Sequence, residues 1–460
     1  MFAKEIYIQR REELKKQFNS GIILLLGNGE TPMNYPGNTY TFRQDSSFIY
    51  YIGLTTPDLA YVLDIDNNKE YLLGDELTMD DIIWMGNLPS LKERAEKVGI
   101  ETVRPFADLF KLITQKNADQ VHYLKPYRYR NQIILSNLLN KNIAPITENY
   151  SVALTKAIIK MRLIKSPEEI LELENAGTIG YAMHITAMKM CQPGVTEQEI
   201  AGMIEGIAIS KGSRVSFATI LSMNGQTLHN HDHSGILEPG RLMLCDAGAE
   251  NNSHYASDFT RTIPVGGNYT SQQKAIHNIV LQALNESIAL AKPGITYKSV
   301  HRNAYKVIFE GLREIGLVKG DTEEALNLGV PGLFMPHGLG HAMGIDVHDM
   351  EDLGETLVGY DDEIQRDTLF GYRSLRFGKR LEPGHVLTAE PGIYFIPQLI
   401  EKWKAEKMHT DFICYDKLKD FYNFGGIRLE DDILITDDGC RFVYEKRLPV
   451  TIEEIEQAVR

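Results

Sequence analysis

Two stretches of this chain carry the same punctuation in the same order, and that doubling restricts its fold more than any other feature. A helical stretch opens at Ser166, where SPEEILELENAG supplies a serine N-cap, Pro167 at the first helical position and Glu169 to close a capping box. It runs to Pro193-Gly194-Val195-Thr196, and a second amphipathic stretch over residues 271–291 runs to Pro293-Gly294-Ile295-Thr296. Each PG-[VI]-T opens a further helix. Downstream, Leu237-Glu238-Pro239-Gly240 leads through RLMLC to Asp246 and Gly248, and Leu381-Glu382-Pro383-Gly384 leads through HVLTA to Glu390 and Gly392. Acid and glycine stand at identical offsets. A second acidic strand follows in each copy: HYASDFTRTIPV with Asp258, and GGIRLEDDILIT with Glu430. Turns favour Pro and Gly in any protein, so one match would be uninformative; two in order, with aligned acids, predict pseudo-twofold halves.

The chemistry follows from those acids. Asp246 and Asp258 flank a polar turn over residues 250–253, and a hairpin centred on Asn252 makes them face each other, with Cβ atoms about 4.5 to 5.5 Å apart. Ionised carboxylates that close repel, and they need a proton, a cation or a metal ion between them. The repeat puts Glu390 and Glu430 in the equivalent places of the other half. Four converging carboxylates call for a pair of hard divalent metals, about 3.5 to 4 Å apart and bridged by carboxylates and water.

A neutral nitrogen ligand is offered by PHGLGHAMGIDVHD, with His337, His341 and His348. Gly338 and Gly340 argue against a zinc-binding H-E-x-x-H helix, no glutamate lies between the first two histidines, and Gly338, Gly340 and Gly344 are spaced one residue too far for a dinucleotide loop. The stretch reads as loop or strand. In LHNHDH, His229, His231 and His233 alternate, so a strand would put them on one face, whereas a surface loop is the plainer reading for His231 and His233. There is no G-x-S-x-G elbow, Walker loop or Cys/His nucleophile pattern.

The repeat occupies residues 161–460, leaving residues 1–160 as a separate domain in which short apolar runs such as GIILLLG and AYVLDID alternate with helical stretches such as SLKERAEKVG. That is a mixed α/β pattern. A length of 460 residues with 43% hydrophobic and 24% charged residues matches a globular protein of more than one domain. Net charge −14 argues against nucleic acid or an anionic membrane as partner. Cys191, Cys245, Cys414 and Cys440 are too scattered for a zinc knuckle or redox motif, and the charged N-terminus lacks the apolar run of a signal peptide. A reducing cytoplasm is the expected compartment.

The series DAGAENNSHYASDFTRT, PHGLGHAMGIDVHD, LTAEPGIYF and GGIRLEDD resembles the metallopeptidase family with the pita-bread fold, in its proline-specific branch of aminopeptidase P and prolidase. YTFRQDSSFIYYIG, from Tyr40 to Gly53, resembles the N-terminal domain of that branch, and RLIKSPEEI its domain junction. The implied fold is α+β: a creatinase- and methionine aminopeptidase-like catalytic domain with pseudo-twofold halves, preceded by a smaller α/β domain. The resemblance makes Asp246, Asp258, His341, Glu390 and Glu430 the ligands of two metal ions. It implies that His348 stabilises the tetrahedral intermediate, that His229 lies near the scissile peptide, that His337 lines the proline-ring pocket and that Arg428 orients the ligands through hydrogen bonds. One departure is present: the paired aspartates of the family are usually separated by ten residues, and here eleven lie between them.

The implied activity is hydrolysis of the Xaa-Pro bond at a peptide N-terminus by a metal-bridging hydroxide, with Glu390 accepting the proton. An oxygen-rich set with one imidazole points to two Mn(II) ions ahead of cobalt, zinc or iron. Xaa-Pro aminopeptidase and Xaa-Pro dipeptidase both stay open. IPQLIEKWKAEKMHTDFICYDKLKDFYNF resembles a prolidase insertion, and SLRFGKRLEPG makes Arg376 a partner for a free proline carboxylate, whereas Gln44 to Gly53 resembles aminopeptidase P. A non-catalytic binding protein or a creatinase-like C–N hydrolase are the other readings. The resemblance also implies a homodimer or homotetramer, with the N-terminal domain, through Trp84, closing a neighbour's cleft.

Overall fold

In the computed structural model, which describes residues 1–460, the chain divides into two units, Met1–Arg162 and Leu163–Arg460. The two apolar runs of the first unit become Ile22–Leu26 and Ala60–Asp64, the middle of a five-stranded sheet. They pair antiparallel, Leu24 opposite Val62, while the edge strands Val121–Tyr123 and Val103–Arg104 join in parallel. Near-complete burial along both middle strands explains why they read as continuous apolar runs rather than alternating ones. Helices close the sheet, with Leu135, Leu138 and Ile146 packed against Leu24 and Val62. SLKERAEKVG forms the helix Leu91–Glu96 with a Ser90/Glu93 capping box. Within Tyr40–Gly53, Asp45 caps the helix Ser46–Ile52, and buried Gln44 accepts the Asn28 N–H at 2.6 Å and donates to the Thr56 carbonyl at 2.8 Å. The helix Met79–Met85 buries none of its residues, and Trp84 is 81% exposed.

The second unit realises the repeat bond for bond. Gly194 donates to the Leu237 carbonyl at 2.8 Å and Gly294 to Leu381 at 2.9 Å; the return bonds, Leu237 to Val195 and Leu381 to Ile295, are both 2.8 Å. Gly194, Gly294, Gly240 and Gly384 all have φ between 78° and 93°, a left-handed conformation in which a side chain would be strained. Each PG-[VI]-T threonine caps the helix that follows it, Thr196 for Glu197–Lys211 and Thr296 for Tyr297–Glu314. The long helices before them are Pro167–Met190, capped by Ser166 with Glu169, and Ser271–Leu290. No helix is long and apolar enough to cross a membrane, and the four cysteines are free thiols.

Two three-stranded sheets carry the acids. Leu242–Ala247 lies between Phe259–Pro264 and Ile220–Ser222; Asp431–Ile435 lies between Val386–Ala389 and Cys440–Phe442. They join where the Glu430 N–H donates to the Thr260 carbonyl at 3.0 Å. The register corrects one expectation. Asp246 pairs with Thr260, not Asp258, and the Glu250–Ala256 bridge keeps the same register, so the hairpin centres on Ser253 rather than Asn252. A shift of two residues leaves Asp258 on the same face as Asp246, as a diagonal neighbour. The extra residue is taken up in the turn, where Asn251 donates to Tyr255 at 3.0 Å and His254 adopts φ 70°. In the other half the pairs Ala389–Asp431 and Gly392–Arg428 set Glu390 directly across from Glu430.

Several buried histidines lock helices to this framework, and one yields a stability test. The His277 ring is fully buried, 2.9 Å from the Val450 carbonyl, and burial drives its pKa down to about 4. As pH falls below 6.5 the unfolded chain takes up this proton before the folded one does, so the stability is present above 6.5 and lost on the way to about 4. The stability gap between wild type and His277→Gln is expected to narrow by about 3 kcal/mol over that window, read from denaturant titrations at stepped pH. A gap independent of pH would contradict a neutral His277 in the fold.

Candidate active site

Each of the four acids sits at a strand end. Asp246 is the penultimate residue of Leu242–Ala247, Asp258 directly precedes Phe259–Pro264, Glu390 follows Val386–Ala389, and Glu430 directly precedes Asp431–Ile435. The His-rich segment is irregular chain laid against one of these strands: Thr388 donates to the His341 carbonyl at 3.0 Å and Glu390 to Leu339 at 2.8 Å. Gly340 is required by that approach, since a Cβ there would come within 2.1 Å of the Thr388 carbonyl oxygen. All ten residues singled out from the sequence, Asp246, Asp258, His341, Glu390, Glu430, His337, His348, His229, Arg376 and Arg428, line one cavity of about 460 Å³.

Three of them converge tightly. Donor atoms of Asp258, His341 and Glu430 lie within 4.8 Å of one another, and His341 Nε2 is 3.4 Å from Asp258 Oδ2. Asp246 and Glu390 face the same cavity outside that cluster, Asp246 being turned to Arg428 by an ion pair through Oδ2. Arg428 also donates from Nη1 to the Tyr394 hydroxyl at 2.9 Å and from Nε to Thr260 Oγ1 at 3.1 Å. Thr260 in turn donates to Glu430 Oε2 at 2.6 Å. One guanidinium thus orients carboxylates from both halves.

The electrostatics show what such a cluster favours. Burial, then the charges of Glu430 and Asp246, hold the Asp258 carboxyl well above the usual range; burial, then Glu390 and Asp246, do the same to Glu430. Glu390 is pushed up to about 8 by burial, against the opposing pull of Arg428. Burial and the neighbouring His348 keep the His341 ring neutral, its pKa well below the ordinary value. Asp246 Oδ1 and Asp258 Oδ1 are buried without a hydrogen-bond partner. Unpartnered carboxylate oxygens facing a cavity, beside one neutral imidazole, fit hard divalent cations.

Around this centre, His348 stacks on His341 with ring centroids 3.7 Å apart, and its Nδ1 lies 2.9 Å from Glu351 Oε1. Glu351 also accepts from Arg376 Nη1 at 2.7 Å. His337 lies 2.8 Å from the Gly338 carbonyl through Nδ1 and 2.8 Å from the Tyr394 hydroxyl through Nε2. Its pKa falls to about 3, chiefly by burial and then by Arg428. The ring is therefore neutral, with Nδ1 donating to the carbonyl and Nε2 accepting from tyrosine. His229 is exposed at the rim. No strand forms over LHNHDH; the His231 and His233 rings bond the Thr219 and Leu221 carbonyls at 3.4 and 3.0 Å, and of these two only His231 reaches the cavity.

Three contributors escaped the sequence reading. Tyr394 and Thr260 each follow a singled-out acid at an even spacing, Glu390 and Asp258, so strand alternation would have pointed to both. Glu351 follows His348 by three residues, a spacing that carries no signal in irregular chain.

Comparison with known proteins matches residues 172–437 to metallopeptidase family M24 and residues 7–123 to the aminopeptidase P N-terminal domain. Xaa-Pro dipeptidase of Rattus norvegicus is 32% identical over 457 residues, 97% of this chain and 90% of that protein. Aminopeptidase P from E. coli, solved with the inhibitor Pro-Leu, superposes with TM-score 0.82 at 29% identity, covering 100% of this chain and 98% of that one. Proline aminopeptidase P II from Yersinia pestis does so with TM-score 0.82 at 29% identity, covering 100% and 99%.

Proposed function

Because the chain belongs to metallopeptidase family M24 and is a metallo-exopeptidase of Xaa-Pro peptides, we propose that Asp246, Asp258, His341, Glu390 and Glu430 hold two divalent cations, manganese foremost. The observation that carries this reading is the convergence of Asp258, His341 and Glu430 within 4.8 Å, beside the unpartnered oxygens of Asp246 and Asp258. Such ions, when bound, make water nucleophilic at neutral pH and polarise a carbonyl. Glu390 accepts a proton from the attacking water and returns it to the departing proline nitrogen. His348 donates from Nε2 to the developing oxyanion. With Nδ1 committed to Glu351, that requires the doubly protonated ring, whose charge Glu351 balances. His337 presents a neutral ring to the proline, and His229 holds the scissile peptide at the rim. The exposed Trp84 helix supports a homo-oligomer.

Arg376, held by Glu351 on the cavity wall, is assigned to the free carboxylate of an Xaa-Pro dipeptide. The test combines metal analysis with kinetics on Xaa-Pro and Xaa-Pro-Yaa peptides. Arg376→Ala is expected to lower kcat/KM for the dipeptide by about 10- to 100-fold and to change the tripeptide little. Equal losses on both would remove Arg376 from that role, and a metal-free protein active on neither substrate would sink the whole reading.

A further inference from the structure

The junction motif RLIKSPEEI has no part in the chemistry above, yet its lysine reaches the site from behind. Lys165 Nζ lies 3.0 Å from Asp349 Oδ2, with both side chains 1% exposed. Asp349 directly follows His348 in sequence. Its N–H donates to the Ala342 carbonyl at 2.8 Å, tying the residue after His348 to the residue after His341. Its Oδ1 accepts the Asp346 N–H at 3.4 Å, and a Cβ at Gly344 would come within 2.4 Å of Oδ2, so the carboxylate fills the loop between the two stacked histidines. Lys165 is itself fixed, its N–H donating to the Gly384 carbonyl at 2.9 Å in the second LEPG turn.

A buried ion pair is a poor source of stability, because desolvation offsets most of the attraction and apolar replacements are often as stable. Its value here is geometric. We propose that the Lys165–Asp349 pair is a positioning device: it holds the 342–349 loop closed so that His348 stays stacked on His341 and aimed into the cavity. The inference rests on the role assigned to His348 above.

The test uses the full chain with Lys165→Met, Lys165→Arg, the double variant Lys165→Met/Asp349→Leu, and His348→Ala as reference. Lys165→Met is expected to lower kcat by roughly 10²-fold with KM little changed, the cost of a small misplacement of a reacting group. Lys165→Arg should restore most of that loss. The double variant removes both charges and should recover the melting temperature lost by the single variant, while kcat stays low. A second readout is the rate at which diethylpyrocarbonate modifies His348 in metal-free protein, followed by peptide mass spectrometry. It should rise in Lys165→Met and in the double variant and return to the wild-type rate in Lys165→Arg. Recovery of wild-type kcat and labelling rate in the double variant would overturn the proposal. Wild-type kcat in His348→Ala would instead refute the role of His348, while labelling still reads the ring's position.

Discussion

Glu430→Ala is expected to reduce peptide hydrolysis at least about a thousandfold and to strip the protein of its metal, with the fold retained. The residue is 2% exposed, and its carboxylate clusters with Asp258 and His341 within 4.8 Å. Its backbone, which joins the two sheets through Thr260, is untouched by the substitution. Loss of the carboxylate therefore removes a donor without cutting the framework. Metal content by elemental analysis after dialysis and circular dichroism separate this outcome from unfolding. Full activity with two metals bound would refute the ligand assignment.

Glu390→Gln is expected to lower kcat by about 10²- to 10⁴-fold, because an isosteric amide cannot accept the proton of water. It should also stabilise the metal-free protein. The folded pKa of Glu390 is about 8 against an ordinary value of 4.5, so between those pH values the folded chain binds a proton that the unfolded chain has lost. Stability on that account falls as pH rises from 4.5 to 8, by on the order of a few kcal/mol, and the amide removes this contribution. Melting of metal-free wild type and variant across this range should show the two diverging upward in pH. With metal bound the order should reverse, since the carboxylate is then neutralised by the cation. Parallel curves in the metal-free proteins would contradict the raised pKa that burial imposes on Glu390.

How far the sequence led depends on the range of the interaction. The capping box at Ser166, the left-handed glycines of both PG turns and the strands GIILLLG and AYVLDID were legible because each is set by a few adjacent residues. The two acidic strands were legible because they occur twice. The hairpin register was not: a centre on Asn252 or Ser253 differs by one residue in the turn, and the choice was made by the turn's own hydrogen bonds and the positive φ of His254. The face of Asp258 survived that error only because a shift of the centre by one residue moves its partner by two.

The chain by itself picked out residues that line one cavity: four acids in two copies of one pattern and three histidines among glycines, with Arg428 added by the family resemblance. The tertiary structure alone decided how they are divided. Asp258, His341 and Glu430 cluster, Asp246 turns to Arg428, and Tyr394, Thr260, Glu351 and the Lys165–Asp349 pair hold the rest in place. The physical reason is separation along the chain. Lys165 and Asp349 are 184 residues apart, and Arg428 and Asp246 are 182 apart, so no local pattern can record that they touch. They meet because two separately encoded halves are joined across their sheets, at the Thr260–Glu430 bridge, through the Arg261–Asp431 ion pair and through the Asp258 N–H donated to Asp432.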